Sequence, residues 1–167
     1  MISMFFSKIY ESWKETQRSK YESLWRALGK DFFAAFQSSR VLDLGCGSGY
    51  FESFLQSKGV NAPVIGADIE FTQKVRPFVL ADGSELPFRD GIFDVVVCID
   101  TVHLLQGSDF RRVLRDRGLA LFSVFFNESN FEQRVAMLKG RLNGFEILLE
   151  FEAGFREKDY VIIAKKE

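Results

Sequence analysis

The apolar positions of this chain change period once. Between residues 7 and 37, Ile9, Trp13, Tyr21, Leu24, Trp25, Leu28, Phe32 and Phe36 recur at roughly helical spacing, with charges between them and Gln37, Ser38 and Ser39 as the close. Beyond that point the apolar residues bunch into short runs. Val41–Leu44, Val64–Asp68, 78–81, Phe93–Ile99 and 119–126 read as strands, and Phe93–Ile99 is continuous in the manner of a strand buried on both faces of a parallel sheet. Tyr50–Ser57, 110–116 and 130–142 read as helices; the first ends near Gly59, and the last has a capping signal at Ser129 or Asn130. Residues 145–151 and 160–164, separated by a polar turn containing Gly154, read as a closing antiparallel pair. Strands alternating with helices predict an α/β sheet with right-handed crossovers. The length of 167 residues fits one domain, with a helical segment over 1–37 and a sheet core over 40–167. One connection is short. Only residues 69–77, Pro77 among them, separate the second and third strands. A parallel crossover usually takes roughly a dozen residues, so its helix is expected to shrink to about one turn or to vanish.

Composition adds exclusions. The chain is 47% hydrophobic and 27% charged, the balance of an ordinary globular domain, and its 19 phenylalanines read as core material. A net charge of −1 leaves no broad footprint for nucleic acid or an anionic membrane. Arg111, Arg112, Arg115 and Arg117 read first as a solvated helix face, with a local basic patch as the alternative. Cys46 and Cys98 make no disulfide framework and are expected to stay reduced. One histidine and two separated cysteines give no zinc-ligand spacing. No apolar run has the length of a membrane span, and residues 1–6 are not followed by a signal-peptide core. The expected location is cytoplasmic.

The chemistry concentrates at the end of the first strand. Val41-Leu42-Asp43-Leu44 runs into Gly45-Cys46-Gly47-Ser48-Gly49, and a helix-compatible run begins at Tyr50. Strand, glycine turn and helix is how an open parallel sheet presents its carboxyl edge to a nucleotide. A dinucleotide fingerprint would place its third glycine one position later, where Tyr50 stands. The loop holds no Lys or Arg, so it is not a P-loop either. Glycines without a cation, beside Asp43, suit an adenosyl ligand with a positive centre and no phosphate. The segment resembles motif I of the class I S-adenosylmethionine-dependent methyltransferases. Asp68, 23 positions after Gly45, suits both hydroxyls of a ribose, with Glu70 as a competing acid. Asp82-Gly83-Ser84 suits an adenine amino group and ring nitrogen, and also reads as a plain turn. Residues 84–97, with Leu86-Pro87-Phe88 and Phe93-Asp94-Val95-Val96, resemble the "L-P-F … F-D-x-V" stretch of the methyltransferase type 11 group.

The resemblance covers about residues 40–126 and implies a Rossmann-like sheet of about seven strands in the order 3-2-1-4-5-7-6, the last antiparallel. It implies S-adenosyl-L-methionine as cofactor, with contacts at Asp43, Gly45, Cys46, Gly47, Gly49, Asp68, Ile69, Asp82, Gly83, Ser84 and Ile99. It gives Asp43 a role in arranging the methionine end of the cofactor; capping of loop amides is the alternative. His103, at the end of the fourth strand, is a candidate general base or a packed histidine, and Asp100 an alternative base or a cap. Tyr10, Trp13 and Tyr21 resemble an aromatic lead-in that folds over the cofactor, which makes residues 1–20 an expected mobile cover; helix packing is the other reading. The implied activity is methyl transfer. The even charge favours a small-molecule acceptor, with a large acceptor or a partner chain as the alternative way to close the site. A non-catalytic methyltransferase-like subunit that stabilises a partner is the rival reading.

Overall fold

A helix of 33 residues, α1 (Ile2–Ala34), opens the structure and bends at Gly29, whose φ of 81° lies outside the helical range. This computed structural model describes residues 2–70 and 77–167, with side chains from residue 13 onward. A 3-10 turn (Ala35–Ser38) leads from α1 into β1 (Val41–Leu44). Then follow α2 (Tyr50–Ser57), β2 (Val64–Asp68), β3 (Phe78–Leu80) and β4 (Phe93–Ile99). The chain closes with α3 (Phe110–Val113), β5 (Leu114–Phe126), α4 (Phe131–Arg141), β6 (Phe145–Ala153) and β7 (Lys158–Lys166). The strands form one sheet in the order β3-β2-β1-β4-β5-β7-β6. β7 runs antiparallel to both its neighbours, and the other pairs are parallel. The expected order and the expected antiparallel strand are both present.

Period-two alternation divides the sheet between two cores. Val41, Val95, Val97, Ile99 and Leu121 pack with Tyr21, Leu24 and Phe33 of α1 and with Phe51 and Phe54 of α2. Leu42, Leu44, Val96, Cys98 and Phe122 pack on the opposite face with Phe110 and Leu138. α2 forms because Phe51, Phe54 and Leu55 lie on one helical face against the first core. Each such aromatic contributes roughly 1.5–3 kcal/mol by burial. Asp43 has the parity of Val41, so its carboxyl group is directed to the α1–α2 side of β1.

Two expectations change. The helix over 110–116 is a single turn at Phe110–Val113, and the strand expected from 119 begins at Leu114. Leu114 is fully buried and pairs with Phe93, so sheet pairing overrides the local pattern. The arginines of this stretch hold structure together. Arg112 donates to the carbonyls of Leu86 and Phe88 and to Asp90 and Asp109, and Arg115 pairs with Asp94. Arg111 donates to the carbonyls of Arg141 and Asn143. In the connection between β2 and β3, residues 71–76 lie outside the described residues, and so does the helix expected to be reduced there. Among the described residues no helix is long and apolar enough to cross a membrane.

Candidate cofactor and acceptor site

The glycine loop is built by close approach. Gly45 has φ 76°, and a Cβ there would stand 2.2 Å from Thr101 Cγ2. Its N–H donates to the carbonyl of Ala67 at 2.7 Å, which ties β1 to β2 at their carboxyl ends. Thr101 in turn donates its hydroxyl to the carbonyl of Gly45. Gly49, at φ 73°, starts α2. Cys46 is buried, and burial pushes its thiol well above the usual range, so it is inert packing.

Asp68 is set against this loop. Its Oδ2 accepts the N–H of Gly47 at 2.8 Å and its Oδ1 the N–H of Glu70 at 3.0 Å. A carboxylate has about four acceptor positions, so each oxygen keeps one for a further donor. Glu70 itself is exposed, and its backbone supports Asp68. Beside them Ile69 is 69% exposed, and Leu80, at the end of β3, 59%. Bare apolar side chains next to a half-satisfied carboxylate fit a nucleoside, with the ribose on Asp68 and a flat base on the aliphatic surface. Asp82 Oδ1 accepts the N–H of Ser84 at 2.8 Å, a bond that holds its carboxyl below the usual range. Gly83 is pressed so close to Leu105 that a Cβ would lie 2.6 Å from Leu105 Cδ2. The 82–84 turn is therefore rigid, with the outer carboxylate edge of Asp82 turned to solvent. Ile99 is different: its side chain is part of the α1-face core.

At the other end of the loop, Asp43 is 3% exposed. Both side-chain oxygens of Glu52, in the first turn of α2, are buried, and the side chain they meet is the carboxyl of Asp43. Burial, followed by the mutual repulsion of the two acids, drives the carboxyl of Asp43 well up; burial also raises that of Glu52. Among the described residues no cation acts on either group. Two buried acids without a base beside them fit a ligand that brings its own positive charge, as the sulfonium and ammonium of S-adenosylmethionine would. Sequence reasoning gave Glu52 no role. The available signal was an acid seven positions after the first loop glycine on a helix whose neighbouring residues are core.

The carboxyl ends of β4 and β5 and the amino end of antiparallel β7 carry a second buried cluster. Lys20 of α1, 2% exposed, forms an ion pair with Asp100 and another with Asp159 Oδ1 at 2.7 Å. Asp159 Oδ2 accepts the hydroxyl of Ser123 at 2.6 Å. Asp100, at the unusual φ of 60°, also accepts from Gln17 Nε2 and, through Oδ1, from the N–H of Phe125. Asp100 thus anchors α1 and caps the N–H of Phe125, which fits the capping role that the sequence offered beside that of a base. Lys20 and Gln17 were missed as well. The signal was polar residues set into the apolar stripe that includes Tyr21 and Leu24.

His103 lies in a 3-10 turn (Val102–Leu104) just past β4. Its Nδ1 is buried without a partner, and burial, then Arg134, pushes its pKa down, so the ring is neutral near pH 7. The aromatic lead-in divides. Trp13 is 47% exposed and tilts over Tyr50 at 5.7 Å. Tyr21 is core, its ring 5.6 Å from Phe51 and 5.5 Å from Phe54. The side chain of Tyr10 lies outside the described residues.

Comparison with known proteins bears on the whole arrangement. The methyltransferase domain family matches residues 16–143. Malonyl-(acyl-carrier protein) O-methyltransferase of Legionella pneumophila is 28% identical over 138 residues, covering 73% of this chain and 49% of that protein. Fatty-acid O-methyltransferase of Mycolicibacterium smegmatis is 28% identical over 152 residues, covering 77% and 56%. A SAM-dependent methyltransferase from Aquifex aeolicus has the same fold, with a TM-score of 0.62 at 16% identity over 82% of this chain and 87% of that one. The chain spans about half the length of the curated relatives it matches. Because the family match runs unbroken through the glycine loop, Asp68 and the 84–97 stretch, the chain belongs to the methyltransferase domain family, within the class I S-adenosylmethionine-dependent methyltransferases.

Proposed function

We propose that this chain transfers a methyl group from S-adenosylmethionine to a carboxylate oxygen of a small acyl molecule, giving a methyl ester. The observation that carries the choice of acceptor is the buried ion pair that commits Asp100 to Lys20. Methyl transfer needs a base only when the nucleophile must lose a proton. A carboxylate is already ionised near neutral pH, so it needs none, and an acid spent on anchoring α1 is no handicap. The O-methyltransferases among its relatives, named for malonyl-(acyl-carrier protein) and for fatty acids, support the same class.

The cofactor supplies an electrophilic methyl group; the protein's part is to hold and orient. Asp68 would take the ribose hydroxyls, the 82–84 turn the adenine edge, and Asp43 with the glycine loop the methionine end. Arg134, whose charge is felt at His103, would draw the acceptor carboxylate to the end of β4. The test is labelled-methyl transfer to a panel of acyl thioesters, free fatty acids, phenols and amines. Label released as methanol by mild alkali is the expected result. Label in an alkali-stable product would replace the acceptor class while keeping the transfer. Cofactor binding with no transfer to the panel or to a cell extract would leave the non-catalytic partner-stabilising subunit as the better reading.

A further inference from the structure

The acids that bracket the glycine loop differ from every other acid described at this edge. Asp43 leaves β1 just before the loop and Glu52 enters α2 just after it. The groups that face them are also known. Asp68 adds a negative charge from β2. Tyr21 of α1 and Cys46 of the loop are held neutral by burial and by these same acids. Asp100 and Asp159 act on Tyr21 from farther along the face. Among the described residues nothing cationic acts on the pair. The two carboxyl groups are buried and meet each other in a side-chain hydrogen bond; both ionised they would repel strongly out of water, and such a pair keeps a proton between its members.

We propose that Asp43 and Glu52 hold one proton between them in the cofactor-free protein and release it to solvent when the ammonium of the cofactor's methionine end docks beside them. The balance is simple: one carboxylic acid and one carboxylate become two carboxylates and a free proton, and the ammonium keeps all of its own protons. Glu52 is then a positioning residue for the charged tail, and it links cofactor affinity to pH. The sign follows from the proton count. The free protein binds one proton more than the complex, so affinity rises with pH across the range in which the pair is protonated. The proposal rests on the identity of the cofactor and not on that of the acceptor.

Calorimetric titration of the full chain near pH 7, in phosphate and in imidazole, reads the proton directly because the two buffers differ in ionisation heat. S-adenosylhomocysteine, which keeps the ammonium, should bind with release of up to about one proton, and its log affinity should rise with pH at a slope approaching one. 5′-Methylthioadenosine, which has the nucleoside but no amino-acid tail, should bind with no buffer dependence. Glu52→Gln should abolish the release with S-adenosylhomocysteine. Equal heats in the two buffers for the wild-type chain, equal release with methylthioadenosine, or undiminished release in Glu52→Gln would each overturn the proposal. If Glu52→Gln fails to fold, the contrast between the two ligands on the wild-type chain still decides it. Failure of both nucleosides to bind would overturn the cofactor reading itself, an outcome distinct from binding without proton release.

Discussion

Two buried groups of charged side chains stand on the same face of the sheet and differ in one respect. At β4, β5 and β7, two acids share Lys20, and the oxygens of Asp100 have partners. At β1 and α2, two acids meet each other with no base beside them among the described residues. Burying a charge without compensation is costly, and paired buried charges roughly break even. The first cluster carries its own base and holds α1 in place. The second would gain one only from a ligand. The presence of a base, more than burial, is what distinguishes the anchor from the proposed binding site.

The largest effect should come from breaking the cluster that carries its own base. Lys20→Met keeps most of the side-chain volume but leaves Asp100 and Asp159 buried without their base, and removal of one partner from such a pair costs about 3–5 kcal/mol. Urea unfolding should show a loss of that order. A change under about 1 kcal/mol would mean that water reaches the cluster and that the contrast drawn here is wrong.

The next largest sharpens the ligand side. Asp68→Ala removes the acceptors for two ribose hydroxyls. At about 1.5–3 kcal/mol for a hydrogen bond to a charged group, the affinity for S-adenosylhomocysteine should fall at least about ten-fold. Because Asp68 also accepts the N–H groups of Gly47 and Glu70, a melting curve must accompany the titration. Glu70→Ala should leave affinity close to wild type; a larger loss there than in Asp68→Ala would exchange the two assignments.

A smaller effect follows from the one strained member of the Lys20 cluster. Burial and then Asp100 push the carboxyl of Asp159 from its ordinary 3.8 up to about 6. The folded chain keeps that proton when the unfolded chain has lost it. Its contribution to stability is thus full below about pH 4 and is lost as pH rises through about 6. Asp159→Asn should remove this part of the decline while Lys20 keeps Asp100. Stability measured from about pH 4 to 7 should fall less steeply in the variant than in the wild type; parallel curves would remove Asp159 from the titrating groups.

What the sequence disclosed divides along the same line. The strands, the glycine turn and the strand-end place of Asp68 were legible because their signals are local: an apolar run, glycines directly after it, an acid closing a strand. The short α3 was not, since the pairing of Leu114 with Phe93 is a contact across 21 positions that no window of sequence contains. Lys20 was hidden for the same reason, its partners lying 80 and 139 residues away at Asp100 and Asp159. Glu52 stood in plain view beside the loop. Its meaning depends on being buried against Asp43, which only the folded chain reveals.

The smallest effect tests how α1 is held at its two ends. Gln17 and Lys20 fix its middle through Asp100. Nearer the start, Trp13 touches Tyr50 with half its surface in water. An aromatic contact of that kind is worth about 0.5–1.5 kcal/mol. If residues before Gln17 act as a cover over the cofactor, Trp13→Ala should scarcely change urea unfolding but should weaken S-adenosylhomocysteine about two- to ten-fold. Hydrogen exchange gives the matching pattern. Protection should rise on ligand binding over residues 2–16 and stay equal over residues 17–28, which the ion cluster and the Tyr21 packing already hold. Equal protection of both stretches with and without ligand would make the whole helix a fixed part of the core. The cofactor cleft would then need a partner chain, or a large acceptor, to close it.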